Sequence, residues 1–93
     1  MGPVSLENSF TLGKDTVFRD LDGEAVILHL GSGTYFGMNA VGTRMWQLIA
    51  QHGRLDVVLD ELCLEYDANR DDLRHDLLEL VTRLADARLV EMK

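Results

Sequence analysis

The apolar residues of this chain change their repeat once, at Asn39, and that change does most to fix what the chain can fold into. Before it, β-rich runs flank the dipeptide Asp22-Gly23 with side chains alternating at a period of two. After it, apolar residues recur every three to four positions, the spacing of amphipathic helices. Asp-Gly between two extended runs is a strong hairpin signal, because both central residues of a type I′ turn need positive φ and these two residues tolerate it. The pattern predicts one strand over Thr16–Leu21 and its partner over Glu24–Leu30. After the break Gly31-Ser32-Gly33, it predicts a third short strand over Thr34–Met38. In the second strand Val26, Leu28 and Leu30 share one face, and Ala25, Ile27 and His29 share the other. One of these faces needs a helical cover.

Asn39 stands where an N-cap belongs, ahead of a helix over Ala40–Gln51 whose apolar positions are Val41, Met45, Leu48 and Ile49. Gly53 is placed to end it in the left-handed region. A second helix follows over Leu55–Tyr66, with Leu55, Val58, Leu59, Leu62, Cys63 and Tyr66 on one side. After Asp67-Ala68-Asn69 comes a third, from about Arg70 to Ala87, whose first turn carries Asp71 and Asp72 in accord with the helix dipole. Leu89–Met92 reads as a brief extended tail. The expected fold class is therefore α+β, a three-stranded antiparallel β-meander followed by three helices, of winged helix-turn-helix-like size. Residues 1–14 show no sustained period and read as a loosely ordered lead-in, and residues 15–93 as a single domain. A chain of 93 residues has material for one core and little left to wall off a deep catalytic cavity.

Charge removes several classes of function. Nine Lys and Arg stand against sixteen Asp and Glu, a net charge of −7, and that field opposes both nucleic-acid phosphates and anionic membrane surfaces. The longest apolar run, Ala25-Val26-Ile27-Leu28, is far short of the roughly 20 residues of a transmembrane helix. The amino terminus shows no basic segment leading into an apolar stretch. A lone cysteine, Cys63, suits a reducing compartment, so the cytoplasm is the expected location.

The search for catalytic and metal-binding groups returns surface and core. His29, His52 and His75 have no histidine or cysteine three or four residues away, so no metal site is expected. Cys63 falls on the apolar stripe of its helix, where a thiol behaves as a small hydrophobe. Gly31-Ser32-Gly33 precedes a strand, whereas a phosphate loop opens a helix. No catalytic residue and no cofactor is expected.

Two features point to binding. On the third helix Leu73, Leu77, Leu80 and Leu84 form a core stripe, while Leu78, Val81 and Ala85 widen the apolar arc to about half the circumference. The third strand is an edge, and Thr34-Tyr35-Phe36-Gly37-Met38 carries none of the lysine, proline or inward charge that usually blunts one. An extended peptide can add to such an edge, and so can a second copy of the chain, giving a homodimer.

The run from Gly33 to Trp46, with Tyr35-Phe36-Gly37-Met38-Asn39 followed by Val41-Gly42-Thr43, resembles the strand-to-helix joint of the PqqD-like family, the small peptide-recognition domains of ribosomal peptide biosynthesis. The layout extends the resemblance from about Thr16 to Met92. It implies three strands against three helices and no catalysis. It also implies capture of a precursor's leader segment as an added strand beside the third strand and against the third helix, for delivery to a modifying enzyme or leader peptidase. On the strand, the surface so implied comprises Thr34, Tyr35, Phe36 and Met38. On the helix, geometry nominates Arg74, Leu78, Val81 and Ala85. Val41-Gly42-Thr43 departs from the branch devoted to pyrroloquinoline quinone and is closer to the leader-binding proteins of lasso-peptide and other radical-enzyme-linked clusters. The net negative field favours a leader of basic character, or one lacking dense acid. The competing reading, a winged-helix-like DNA-binding regulator, has only size and helix count behind it. Arg70, Arg74, Arg83 and Arg88 are outnumbered by Asp71, Asp72, Asp76, Glu79 and Asp86, which leaves no basic stripe for a major groove.

Overall fold

The computed structural model describes residues 4–93. Eight elements follow in order: β1 (Phe10–Leu12), β2 (Thr16–Leu21), β3 (Glu24–His29), β4 (Tyr35–Gly37), α1 (Ala40–His52), α2 (Leu55–Glu65), α3 (Arg70–Asp86) and β5 (Val90–Met92). The meander expected from the sequence is the antiparallel sheet β2-β3-β4. Its first turn has positive φ at both Asp22 (57°) and Gly23 (84°), as a type I′ hairpin requires, and the Asp20 carboxylate accepts the Gly23 N–H at 2.7 Å.

One face of this sheet packs on the helices. Ala25 and Ile27 are buried there with Trp46, Leu48 and Ile49 of α1, Leu59 and Leu62 of α2, and Leu77, Val81 and Leu84 of α3. The opposite face has no cover, and Val17, Leu21 and Tyr35 are exposed on it.

The joint between β4 and α1 accounts for the motif Met38 to Thr43. The Asn39 side chain caps α1 by accepting the Gly42 N–H at 2.9 Å. The buried Thr43 hydroxyl accepts the Ala25 N–H at 2.7 Å, so a donor near the start of β3 finds its partner on a helix rather than on a strand. At the other end of α1, Gly53 adopts φ 80° and its N–H closes the helix on the Ile49 carbonyl.

The lead-in expectation is corrected over much of its length. β1 lies within it and pairs antiparallel with β5, Phe10 opposite Met92 and Leu12 opposite Val90, with the Phe10 ring buried in the core. The preceding residues also terminate a helix. Arg54 at the N-cap of α2 offers no side-chain cap, and the first two free N–H groups, those of Leu55 and Asp56, donate to the carbonyls of Asn8 and Leu6 at 3.1 and 2.9 Å. The part of the lead-in over residues 1–3 lies outside the described residues.

Candidate functional site

β4 forms one edge of the three-stranded sheet, and its hydrogen-bonding alternation decides which of its groups are free. The His29 N–H donates to the Thr34 carbonyl at 2.8 Å, and the Met38 N–H donates to the Ala25 carbonyl at 2.9 Å. With Ile27 opposite Phe36 between them, Thr34, Phe36 and Met38 turn their backbone groups toward β3. Tyr35 and Gly37 therefore turn N–H and C=O outward. The side chains sort the same way. Phe36 and Met38 lie on the helix-covered face with Ile27, whereas Tyr35 lies on the uncovered face with Leu28 and is 74% exposed.

Beside this edge a cleft of about 390 Å³ opens between β4, α1 and α3. Its apolar surface comes from Phe36, Met38, Val41, Met45 and Leu80. Its charged lining is Asp76, Glu79 and Arg83 from α3, and the Arg83 guanidinium carbon lies 5.0 Å from the centroid of the Phe36 ring. A second depression of about 440 Å³ continues past Thr34 to the end of α3 at Asp86, Ala87 and Arg88. Together they form a trough beside the free edge of β4, with mixed apolar and charged lining at the first depression and mostly polar residues at the second, and main-chain groups free along one side.

On the strand, the residues expected from sequence meet in this trough. Phe36 and Met38 line the cleft, Thr34 lines the second depression, and Tyr35 contributes backbone alone. On the helix, the nominated residues lie elsewhere. Val81 is fully buried in the core, and the half-buried Ala85 packs against that core. Arg74 and Leu78 line another depression of about 380 Å³ on the outward side of α3, which shares only Glu79 and Arg83 with the cleft.

The helical rotation of about 100° per residue explains the difference. The buried stripe Leu73, Leu77, Val81 and Leu84 has two flanks, and β4 meets the flank bearing Asp76, Leu80 and Arg83 rather than the one bearing Arg74, Leu78 and Ala85. Leu80, assigned to the core by its spacing, is half-buried at the cleft, and Val81 takes its place inside. The apolar periodicity marks both flanks but carries no signal for which one the strand faces.

Two other groups near these elements are structural. Arg44 of α1 holds Glu65 of α2 in a bidentate pair at 2.7 and 2.8 Å. The guanidinium hydrogen bonds keep the Glu65 carboxyl below its ordinary range and raise Arg44. His29 Nδ1 accepts the Ser32 N–H at 3.1 Å within its own hairpin loop. Among the described residues no group of three His, Cys, Asp or Glu side chains converges as a metal site would require.

The family profile of PqqD, coenzyme PQQ synthesis protein D, matches residues 24–90, and the chain belongs to that family. Among solved structures it is similar to TbiB1 in complex with the TbiA(beta) leader peptide, at 37% identity and a TM-score of 0.81, covering 87% of this chain and 94% of that one. It is also similar to a lasso peptide synthetase B1 complexed with the leader peptide, at 25% identity and a TM-score of 0.79, covering 89% of this chain and 98% of that one. No match was found among curated proteins. Within the family the chain stands closer to these lasso-peptide proteins than to the quinone branch, as the Val41-Gly42-Thr43 departure indicates.

Proposed function

We propose that this protein is a non-catalytic leader-peptide-binding module. It captures the leader of a ribosomally made precursor by strand addition at β4, with the added strand's inward side chains against α3, and presents it to a modifying enzyme or leader peptidase. The observation that carries this reading is the free backbone of Tyr35 and Gly37 beside a cleft of apolar and charged side chains, in a fold shared with two B1 proteins solved with leader peptides. A precursor made on ribosomes is available to such a module in the cytoplasm, and no helix among the described residues is long and apolar enough to cross a membrane.

A DNA-binding role has no feature to support it. α3 carries Arg70, Arg74 and Arg83 against five carboxylates, and Arg70 and Arg74 already face Asp60 and Asp71. A homodimer through β4 would use the same outward groups and so compete with the peptide.

Calorimetric titration of the TbiA(beta) leader peptide into the protein tests the reading. We expect saturable binding between micromolar and nanomolar, about 8 to 12 kcal/mol, and no cleavage of the peptide by the isolated chain. Absence of binding together with a shift of duplex DNA at near-physiological salt would reverse the assignment.

A further inference from the structure

Among the described residues Arg83 makes no ion pair, which it shares with Arg19 and Arg88, but it alone of the three lines the cleft beside β4. Arg44, Arg54, Arg70 and Arg74 each have a carboxylate oxygen within 4 Å, at distances from 2.7 to 3.8 Å. Arg83 makes no such pair among the described residues, although Asp76 and Glu79 line the same cleft. Its guanidinium instead rests over the Phe36 ring, a contact that uses the face of the cation and leaves its N–H donors around the rim unspent. The side chain is exposed, so nothing buries these donors until another molecule covers the trough.

A strand added beside β4 presents side chains to α3 at every second residue, roughly 6.8 Å apart. One that arrives level with Phe36 meets Arg83. The next inward residue arrives level with Met38 and enters the apolar part of the cleft, between Val41, Met45 and Leu80. A planar, permanently charged fork with free donors matches a carboxylate, which can take two parallel hydrogen bonds from it.

We infer that Arg83 is a specificity-determining residue that reads a carboxylate side chain in the bound peptide, two residues from the apolar side chain that fills the cleft. The inference rests on the strand-addition reading above. It also runs against the field of the whole molecule, whose net charge of −7 disfavours acidic peptides, and against the Asp76 and Glu79 carboxylates of the same cleft, which the Arg83 contact has to outweigh. A preference for acid at one position, within peptides otherwise neutral or basic, is therefore a signature that bulk charge does not produce.

Randomised peptides displayed on phage, selected in parallel against the wild-type protein and the Arg83→Gln, Arg83→Lys and Tyr35→Pro variants, test this with no one peptide sequence chosen in advance. Wild type should enrich Asp or Glu two residues from a large apolar residue by about tenfold, the factor one charge-assisted hydrogen bond supplies. Arg83→Gln should return that position to the library frequency while keeping the apolar residue, and Arg83→Lys should restore part of the enrichment. Circular dichroism should show all Arg83 variants folded, since the side chain lies outside the core. A wild-type consensus lacking the acid, or an acid that persists with Arg83→Gln, overturns the role of Arg83 and leaves the peptide reading standing. No consensus on wild type, or one that Tyr35→Pro leaves unchanged, overturns both.

Discussion

Replacing Tyr35 with proline puts the free edge of β4 to its hardest test. Its N–H faces away from β3, so proline removes a donor that the folded protein does not use, and the fixed φ near −65° is tolerated at an edge position. The side chain lost is 74% exposed and on the uncovered face, so little packing goes with it. A strand added at β4, by contrast, would lose the partner of one carbonyl, which costs about 1 to 3 kcal/mol, or roughly 5- to 150-fold in Kd. Phe36→Pro is the internal control. It removes the donor that Phe36 turns toward Ile27 and strips the ring from the cleft, so it should lower the melting temperature as well as weaken binding. The assay pairs calorimetric titration of the TbiA(beta) leader with thermal unfolding of each variant. Wild-type affinity in a folded Tyr35→Pro protein would refute strand addition at β4, whatever the family relationship.

Three further outcomes follow from particular contacts. Leu80→Asp, at the cleft, should weaken peptide binding by about 2 kcal/mol through a carboxylate buried under the peptide, whereas Leu78→Asp, on the outward side of α3, should bind as wild type, and a reversed order in the titrations would move the groove to the other flank. Thr43→Val should destabilise the fold by about 1 to 3 kcal/mol in denaturant unfolding, because the buried Ala25 N–H loses its acceptor, and an unchanged midpoint would mean that the hydroxyl is dispensable. Glu65 has a depressed pKa when folded, so the stability from its Arg44 pair is present above the unfolded glutamate pKa and is lost as pH falls through the folded one. Glu65→Gln should cost only about 0.5 kcal/mol at pH 7 for this half-exposed pair, and the difference from wild type should vanish in acid; a gap that persists below the carboxylate range contradicts it.

What could be read from the sequence was local. Asp22-Gly23, Asn39 and Gly53 each act within a turn or a helix end, and the structure places each where its backbone chemistry demands. The open edge was legible too, because the lack of blunting residues in β4 is a property of five consecutive positions. β1 was not, since a three-residue strand has no measurable period and its partner β5 lies at the far end of the chain. Nor was the cap of α2, which consists of the backbone carbonyls of Asn8 and Leu6 and so leaves no side-chain signature. Which flank of α3 lines the cleft depends on how the helix rolls against β4, a tertiary choice that its own periodicity leaves open between Leu78 and Leu80.

The β1-β5 pair has a mechanical consequence. Phe10 faces Met92 at the end of the ladder nearest both chain ends, while Leu12 faces Val90 at the end leading inward. Tension applied between the two ends therefore loads the ladder one rung at a time, as a zipper is opened, rather than all rungs at once in shear. From the carboxyl-terminal side the clasp is the first ladder such a pull meets, whereas from the amino-terminal side the Leu6 and Asn8 contacts with the start of α2 bear the load before it. Because β1 and β5 form a sheet of their own, opening this clasp leaves the β2-β3-β4 ladder and its free edge intact.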